Sequence, residues 1–230
     1  MFKTWLKSFG FVLLVMISLL LLYTAYDKQT KTLQFEKVIT VLSFSDTKLS
    51  LNELNKITAL GAIGIIAIVF MLGPLSKFFP KIFAHYLIYR KPVGLIGFAF
   101  ALIHSVYSAY VFYSFNLDKI ISGGRIIPFT AGLLSLFIFF LMAVTSTESA
   151  VKKLGYKNWK VLQTFGYIGL LFAVVHFFVI ETKPVIGFDV RPYGVAFFVI
   201  AVVALLLRLF LVFVQVKERK AYHEHFGQKK

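Results

Sequence analysis

The chain has 230 residues, 59% of them hydrophobic, and its mean hydropathy is +0.81. Soluble domains are nearer half apolar, so this composition indicates an integral membrane protein. The sequence contains no cysteine, which excludes disulfides, thiolate metal sites, iron–sulfur clusters and covalent c-type haem attachment. The formal net charge is +15, but the basic residues cluster at the ends of apolar runs. That pattern indicates membrane topology and no nucleic-acid partner.

Six apolar stretches are each near the roughly 20 residues that a helix needs to cross about 30 Å of hydrocarbon. They predict an all-α integral membrane protein, a six-transmembrane-helix bundle whose single domain covers residues 1–230. We interpret the first stretch as an uncleaved span, because no A-x-A-like cleavage site follows it. The predicted spans are approximately 9–26, 55–75, 92–115, 127–146, 159–180 and 192–215.

The charges between the spans predict that both termini are cytoplasmic. In that orientation the inner segments carry 15 basic and 3 acidic residues, whereas the outer segments carry 9 basic and 7 acidic residues. Cytoplasmic loops are enriched in Lys and Arg, so an N-in/C-in protein of the cell (inner or plasma) membrane is expected. Residues 27–54 then form an outer loop, and residues 217–230 form a basic cytoplasmic tail.

Two of the five histidines, His104 and His176, lie deep in the third and fifth spans. Ionisable residues at membrane depth are rare and usually functional. Both spans run outward, and the two histidines lie roughly 20 Å and 24 Å of helix beyond the last preceding cytoplasmic charge. Both imidazoles are therefore predicted at one level, on the outer side of the membrane midplane.

A level pair of neutral imidazoles on two helices suits a six-coordinate haem iron. We predict one haem b between the third and fifth helices, with His104 and His176 as axial ligands of the iron. The alternative is that each histidine makes a single interhelical hydrogen bond. A zinc or copper site is disfavoured, because no third or fourth ligand lies at that depth.

Small and aromatic residues near the two histidines suit a flat apolar ring. Small residues permit close approach of a ring or of another helix. The glycines that precede the histidines are Gly94, Gly97, Gly166 and Gly169. The aromatic candidates for a pocket wall are Phe98, Phe100, Tyr107 and Phe172.

Two segments of the chain resemble the six-transmembrane epithelial antigen of the prostate (STEAP) family. Residues 79–108 match through Phe79-Pro80, Arg90-Lys91, Gly94-Leu95, and His104 followed by Tyr107-Ser108. Residues 142–178 match through Ala143-Val144-Thr145-Ser146, Asn158-Trp159, Gln163, Gly166-Tyr167 and His176. More broadly, the chain is similar to the ferric-reductase-like transmembrane superfamily. That superfamily includes NADPH oxidases and the bacterial haem subunit of the methionine sulfoxide reductase system.

The resemblance implies a six-helix haem domain that moves electrons outward. Two-haem relatives hold a second, inner haem with histidines at positions that correspond here to Arg90 and Gln163, so the resemblance implies that this haem is absent. STEAP-like proteins place a flavin at the inner side, which makes Arg90, Lys91 and Gln163 candidate contacts of FAD. Membrane-topology anchors are the alternative role of Arg90 and Lys91. The relatives also imply a homotrimer.

Three functions follow as hypotheses. The first is transmembrane electron transfer from a cytoplasmic flavin reductase or flavoprotein to Fe³⁺ or Cu²⁺ chelates, or to dioxygen. It describes a metalloreductase-like oxidoreductase, or an electron-transfer subunit, that is expected to lack its own NADPH domain. The second is a haem membrane subunit that passes electrons from quinol or a flavin reductase to a periplasmic reductase. The third is a haem-free transporter or scaffold, although the predicted spans hold no deep Asp or Glu for ion coupling.

Further basic residues are candidate partners of anionic groups. Arg208 lies within the sixth span, near enough to its cytoplasmic end to reach the interface, and it is a candidate contact of anionic cofactor groups. The outer candidates, for haem propionates or anionic chelates, are Lys119, Arg125, Lys183 and Arg191.

Overall fold

The computed structural model describes residues 2–25, 34, 51–123, 125–181 and 192–226. Within these ranges the chain is helical and contains no strand. The helices are α1 Phe2–Ala25, α2 Leu51–Phe78, α3 Pro80–Phe83, a 3-10 helix Ala84–Tyr89, α4 Arg90–Val111, α5 Leu117–Ser122, α6 Ile126–Val144, α7 Glu148–Leu154, α8 Tyr156–Glu181 and α9 Pro192–Phe226.

Five helical segments in the described part of the chain are long and apolar enough to cross a membrane. They are Leu54–Phe78, Pro80–Val111, Ile126–Val144, Tyr156–Ile180 and Gly194–Tyr222. These segments coincide with the second to sixth predicted spans, so the predicted all-helical, multi-pass architecture is confirmed. The first predicted span coincides with α1, a helix of 24 residues that is not among the five. The count of six spans and the N-in/C-in orientation therefore stay predictions.

The helix ends differ from the ends of the apolar runs. The third predicted span extends to residue 115, but α4 ends at Val111, because Ser114 and Phe115 adopt positive φ angles of 51° and 56°. A helix does not continue through that conformation. At the other end of the chain, α9 continues to Phe226, through most of the predicted tail 217–230. Most of the predicted loop 27–54 lies outside the described residues, and α2 begins within it, at Leu51.

The central helix of the bundle is α2. In its most apolar window 67% of the residues are buried, compared with 11–22% in the other four spans. Nearly all residues between 60 and 70 are buried, as expected for a helix that is apolar on every side and enclosed by others. The helices packed against it are α1, α4, α8 and α9.

The outer helices expose apolar side chains on their outward faces. In water such apolar surfaces would favour aggregation, whereas lipid chains solvate them. The lipid bilayer is therefore the environment that this fold requires. Examples of these exposed side chains are Ile103, Val106, Leu133, Phe137, Leu171 and Leu206.

The two histidine-bearing helices, α4 and α8, pack mainly on other helices. The chief partner of α4 is α2, and the chief partner of α8 is α6. Smaller contacts join α4 to α6 and α2 to α8. Close packing thus joins α4 to α2 and α8 to α6, and the rings of His104 and His176 meet between α4 and α8.

Candidate functional site between two histidines

His104 of α4 and His176 of α8 meet inside the bundle. Their ring centres lie 6.2 Å apart, and the ring planes are inclined by 76°. The structure therefore brings the two predicted site residues together at one level. Their role as metal ligands stays a prediction.

The separation of the two rings can be compared with two chemical arrangements. An imidazole nitrogen lies about 2.0–2.1 Å from a bound metal, so two imidazoles on opposite sides of one iron have ring centres roughly 6.3 Å apart. A direct nitrogen-to-nitrogen hydrogen bond of about 2.9 Å would bring in-line ring centres to about 5 Å. The observed 6.2 Å is close to the first separation, and with ring planes inclined by 76° it also lies in the range of an edge-to-face contact between two rings. The separation of the ring centres is therefore compatible with one iron ion between the rings.

His104 is held by Asn55 of α2. The Nδ1–H of His104 donates to Asn55 Oδ1 at 2.9 Å and to the Asn55 carbonyl oxygen at 3.2 Å. The Asn55 side chain is buried, and its Nδ2 also donates to Ser108 Oγ at 2.9 Å. Ser108 lies one turn after His104 on α4. This short network fixes the rotation of the His104 ring relative to α2.

His176 is held by α6. Its Nδ1–H donates to the Pro128 carbonyl oxygen at 2.7 Å. Gly132 lies one turn after Pro128 on the same face of α6, and a Cβ there would lie 2.7 Å from His176 Nδ1. The absence of a side chain at Gly132 therefore lets the imidazole reach the Pro128 carbonyl.

These hydrogen bonds determine the tautomer of both rings. Carbonyl oxygens only accept hydrogen bonds, so Nδ1 carries the proton in each neutral imidazole and Nε2 keeps a lone pair. Neither Nε2 atom has a hydrogen bond to any described residue. Metal-binding histidines commonly donate their other N–H to a carbonyl in this way. The interhelical hydrogen bonds thus fit a ligand role as well as the alternative of a purely structural one.

The set of available donor atoms also fits haem. Among the residues that the structure describes, no group of three or more His, Cys, Asp or Glu side chains could hold a metal ion. Two imidazoles complete the coordination of an iron that already has four porphyrin nitrogens, whereas a bare zinc ion requires three or four protein ligands.

The predicted glycines and aromatic residues take several positions around this pair. A Cβ at Gly97 would meet Ile66 of α2 at 2.9 Å, and a Cβ at Gly169 would meet Ile138 of α6 at 3.0 Å. These glycines therefore serve close helix packing. Phe100 packs towards α1 and lines an apolar cavity there, so it does not form the wall predicted beside the histidines.

The predicted inner residues do not form one contact group. Lys91 is exposed. The Nε2 of Gln163 donates to the Met142 carbonyl and to Thr145 Oγ1, both at 3.4 Å, so Gln163 joins α8 to α6. Arg90 instead lies beside Tyr167 of α8.

Two of the four predicted outer basic residues, Lys119 and Arg125, are described by the structure. The Nζ of Lys119 donates to Ser114 Oγ at 3.0 Å, and Arg125 is exposed at the start of α6. Lys183 and Arg191 lie outside the described residues.

Sequence reasoning missed Asn55, Pro128 and Gly132. Asn55 was detectable as a strongly polar residue at the start of an apolar run, a position where a buried amide requires partners. Pro128 and Gly132 carried no comparable signal, because neither has a polar side chain. Their importance depends on α6 being the neighbour of α8.

The fold and this site define a multi-pass helical membrane protein with a paired-imidazole centre inside its bundle. Residues 58–174, just over half of the chain, match the family described as ferric reductase like transmembrane component. The chain belongs to that family. The matched range includes His104 and ends two residues before His176.

Curated relatives show the same likeness. The chain is similar to the protein-methionine-sulfoxide reductase heme-binding subunit MsrQ of Brucella ovis, with 34% identity over 90 residues. The same identity over the same length is found for the MsrQ proteins of Brucella canis and Brucella abortus strain S19. The matched segment is 39% of this chain and spans about 40% of the length of these curated relatives.

Proposed function

We propose that this protein carries electrons across a membrane through one haem b, whose iron is bound by Nε2 of His104 and Nε2 of His176. The observation that supports this proposal best is the 6.2 Å separation of the two ring centres, with each Nδ1–H donated to a group other than the partner histidine. Similarity to a heme-binding subunit supports the same cofactor.

The chain's own residues prepare this site for rapid one-electron transfer. When bound, haem supplies the one-electron redox chemistry. Asn55 and Pro128 hold the two imidazoles in one tautomer and one orientation, which limits rearrangement when the charge at the site changes. The apolar faces of the surrounding helices exclude water and lower the local dielectric.

The proposed donor binds at the cytoplasmic side. A flavin reductase or flavoprotein would deliver electrons there, and Arg90, Lys91 and Gln163 remain the candidate contacts of a bound FAD. The N-in/C-in orientation, the cell membrane, the STEAP-like plan with a single haem and the homotrimer belong to the same proposal.

The acceptor lies on the outer side. A STEAP-like protein would reduce Fe³⁺ or Cu²⁺ chelates or dioxygen. The second candidate acceptor is a soluble reductase partner, for which the protein would act as the haem membrane subunit. Similarity to MsrQ, a heme-binding subunit of a protein-methionine-sulfoxide reductase, favours this second candidate.

Electron transfer across a bilayer can be tested in sealed vesicles. Purified holoprotein is reconstituted with an Fe³⁺ chelate and an Fe²⁺-specific dye inside, and a reduced flavin outside. We expect the coloured complex of the dye with Fe²⁺ to form inside the vesicles. The haem absorption bands should show reoxidation of the haem at the same time. Vesicles that contain the His176→Ala variant are the control. Equal rates of dye formation in both preparations would refute the proposal.

The Asn55 hydrogen bond is expected to tune the iron. In Asn55→Leu the His104 Nδ1–H loses its side-chain acceptor, so the imidazole becomes a weaker electron donor to the iron and the reduction potential rises by tens of millivolts. Redox titration of the haem bands, together with the low-temperature EPR g values, measures this change. The control is Ser76→Ala, since Ser76 is buried on the same helix and its hydroxyl donates to the backbone carbonyl of Gly73, far along α2 from Asn55. An unchanged potential and EPR spectrum in Asn55→Leu would contradict a tuning role.

A further inference from the structure

A turn of unusual backbone conformation connects α4 to the short helix α5. Ser114 and Phe115 in this turn have φ angles of 51° and 56°, which residues with a Cβ rarely adopt. The N–H of Phe115 donates to the Ala109 carbonyl of α4 at 3.0 Å. The Asn116 side chain then caps α5 by accepting a hydrogen bond from the N–H of Asp118 at 2.8 Å. These backbone contacts fix the direction in which α5 leaves α4.

The helix α5 is also attached to the bundle. It packs on α6 through Ile120, which is buried. The N–H of Arg125, at the start of α6, donates to the Ile120 carbonyl at 3.2 Å. On the opposite side of α5, the Nζ of Lys119 donates to Ser114 Oγ at 3.0 Å and so joins the helix to the preceding turn. The position of α5 at this end of the bundle is therefore defined.

The apolar side of α5 extends beyond the part that the bundle covers. Leu117, Ile120 and Ile121 have the spacing i, i+3 and i+4, which places them on one side of the helix. Ile120 is buried, but Leu117 is 65% exposed and Ile121 is 61% exposed. Phe115 of the turn is 68% exposed. These three exposed apolar side chains, Phe115, Leu117 and Ile121, form what we call the α5 stripe.

The neighbouring helix α6 shows at which depth the α5 stripe lies. With 19 residues α6 is roughly 28 Å long, close to the ~30 Å thickness of the hydrocarbon core. Its first two residues, Ile126 and Ile127, are exposed and apolar, so the lipid-facing part of α6 starts at its first turn. Because α5 ends at Ser122, only four residues before Ile126, it lies at the boundary between the hydrocarbon and the headgroups.

We propose that α5 and the turn before it bind the membrane surface, with the α5 stripe inserted among the lipid chains below the headgroups and Lys119 facing water. A helix with an apolar side and a charged side is stable in this position, because each side meets the medium that solvates it. A soluble partner protein would have to reach the edge of the hydrocarbon to cover the same side chains. The hydrogen bond from Phe115 to Ala109 connects this anchor to α4, five residues after His104, and so holds that end of α4 at a fixed depth.

The depth of α5 can be measured directly because the sequence contains no cysteine. The variants Leu117→Cys, Ile121→Cys and Lys119→Cys each receive one nitroxide spin label, and the holoprotein is placed in nanodiscs of phosphatidylcholine. EPR power saturation then gives the collision rates of each label with oxygen, which concentrates in lipid, and with a neutral nickel chelate, which stays in water. All three native side chains are exposed, so the labels replace no side chain of the core.

We expect the ratio of oxygen collisions to nickel collisions to be several times higher at Leu117→Cys and Ile121→Cys than at Lys119→Cys. The Lys119 position is the matched control, since it lies on the same short helix and on its opposite side. Frequent nickel collisions at all three positions would overturn the proposal and show that the stripe faces water, where a soluble partner could bind. Low rates with both reagents at the two stripe positions, with dipolar broadening between labels, would also overturn it, because a second copy of the chain would then cover the stripe. The haem spectrum of each labelled sample checks that the protein is folded, and the proposal concerns depth alone, so it stands independently of the proposed electron transfer.

Discussion

Replacing His176 by alanine is expected to abolish the b-type absorption bands of the purified protein. The imidazole of His176 is one of the two that the described residues place at this site, and its ring centre lies 6.2 Å from that of His104. Haem b is not covalently attached, so loss of one axial ligand removes one of its two bonds to the protein and leaves the iron with an incomplete coordination in a buried site. Oxidised and dithionite-reduced spectra, with haem quantified per chain, measure the effect.

The same loss is expected for His104→Ala, because the two ligands act on one iron. His85→Ala is the matched control: His85 lies on the exposed 3-10 helix, and its ring lies against that of Tyr86 with ring centres 3.8 Å apart. The control should keep about one haem per chain. A colourless unmodified protein from haem-replete cells would overturn the haem assignment. Two haems per chain would instead refute the inference that Arg90 and Gln163 replace an inner pair of ligands.

Much of the architecture was predictable because lipid imposes a strong local rule. A helix must be apolar over about 20 residues to cross the bilayer, so hydropathy located five of the described spans closely. The pairing of His104 with His176 was also predictable, since depth along two parallel helices is a one-dimensional quantity. Helix ends were less predictable: a helix continues into water without any change of hydropathy, as α9 does up to Phe226.

The surroundings of the histidines were not predictable from the sequence, because they depend on which helices are neighbours. Asn55 supports His104 only because α2 packs on α4, and Pro128 supports His176 only because α6 packs on α8. The direction of each side chain around its helix adds a second unknown. Phe100 illustrates it: four residues before His104, it nevertheless packs towards α1.

The surroundings of Arg90 also depend on which helices are neighbours, so they were not predictable from the sequence. The resemblance to two-haem relatives indicated Arg90 and Gln163, which precede His104 and His176 in the sequence. In the structure Arg90 of α4 and Arg208 of α9 both lie beside Tyr167 of α8, a residue for which the sequence predicted no role at the inner side. The role of a charged residue at membrane depth can be interpreted only together with the charged residues of all the helices around it.

Gly132→Ala is expected to displace haem as effectively as loss of a ligand. A Cβ at this position would lie 2.7 Å from Nδ1 and 3.0 Å from Cε1 of His176, closer than side chains normally approach. The His176 ring must therefore move, which breaks its hydrogen bond to the Pro128 carbonyl and shifts Nε2 away from the site. Haem content per chain and the low-spin EPR signal should both fall sharply, with the protein still folded and inserted.

The helix propensities of glycine and alanine alone predict the opposite effect, so the two explanations can be distinguished. Alanine is a better helix former than glycine by roughly 1 kcal/mol, so the substitution should stabilise α6 if it acts through the backbone alone. The matched control is Gly94→Ala on α4, where the nearest atom to the added Cβ is Val69 Cγ1 at an ordinary 3.6 Å. Gly94→Ala should keep its haem. If Gly132→Ala keeps its haem with an unchanged EPR signal, then close packing of His176 on α6 does not hold the ring in place.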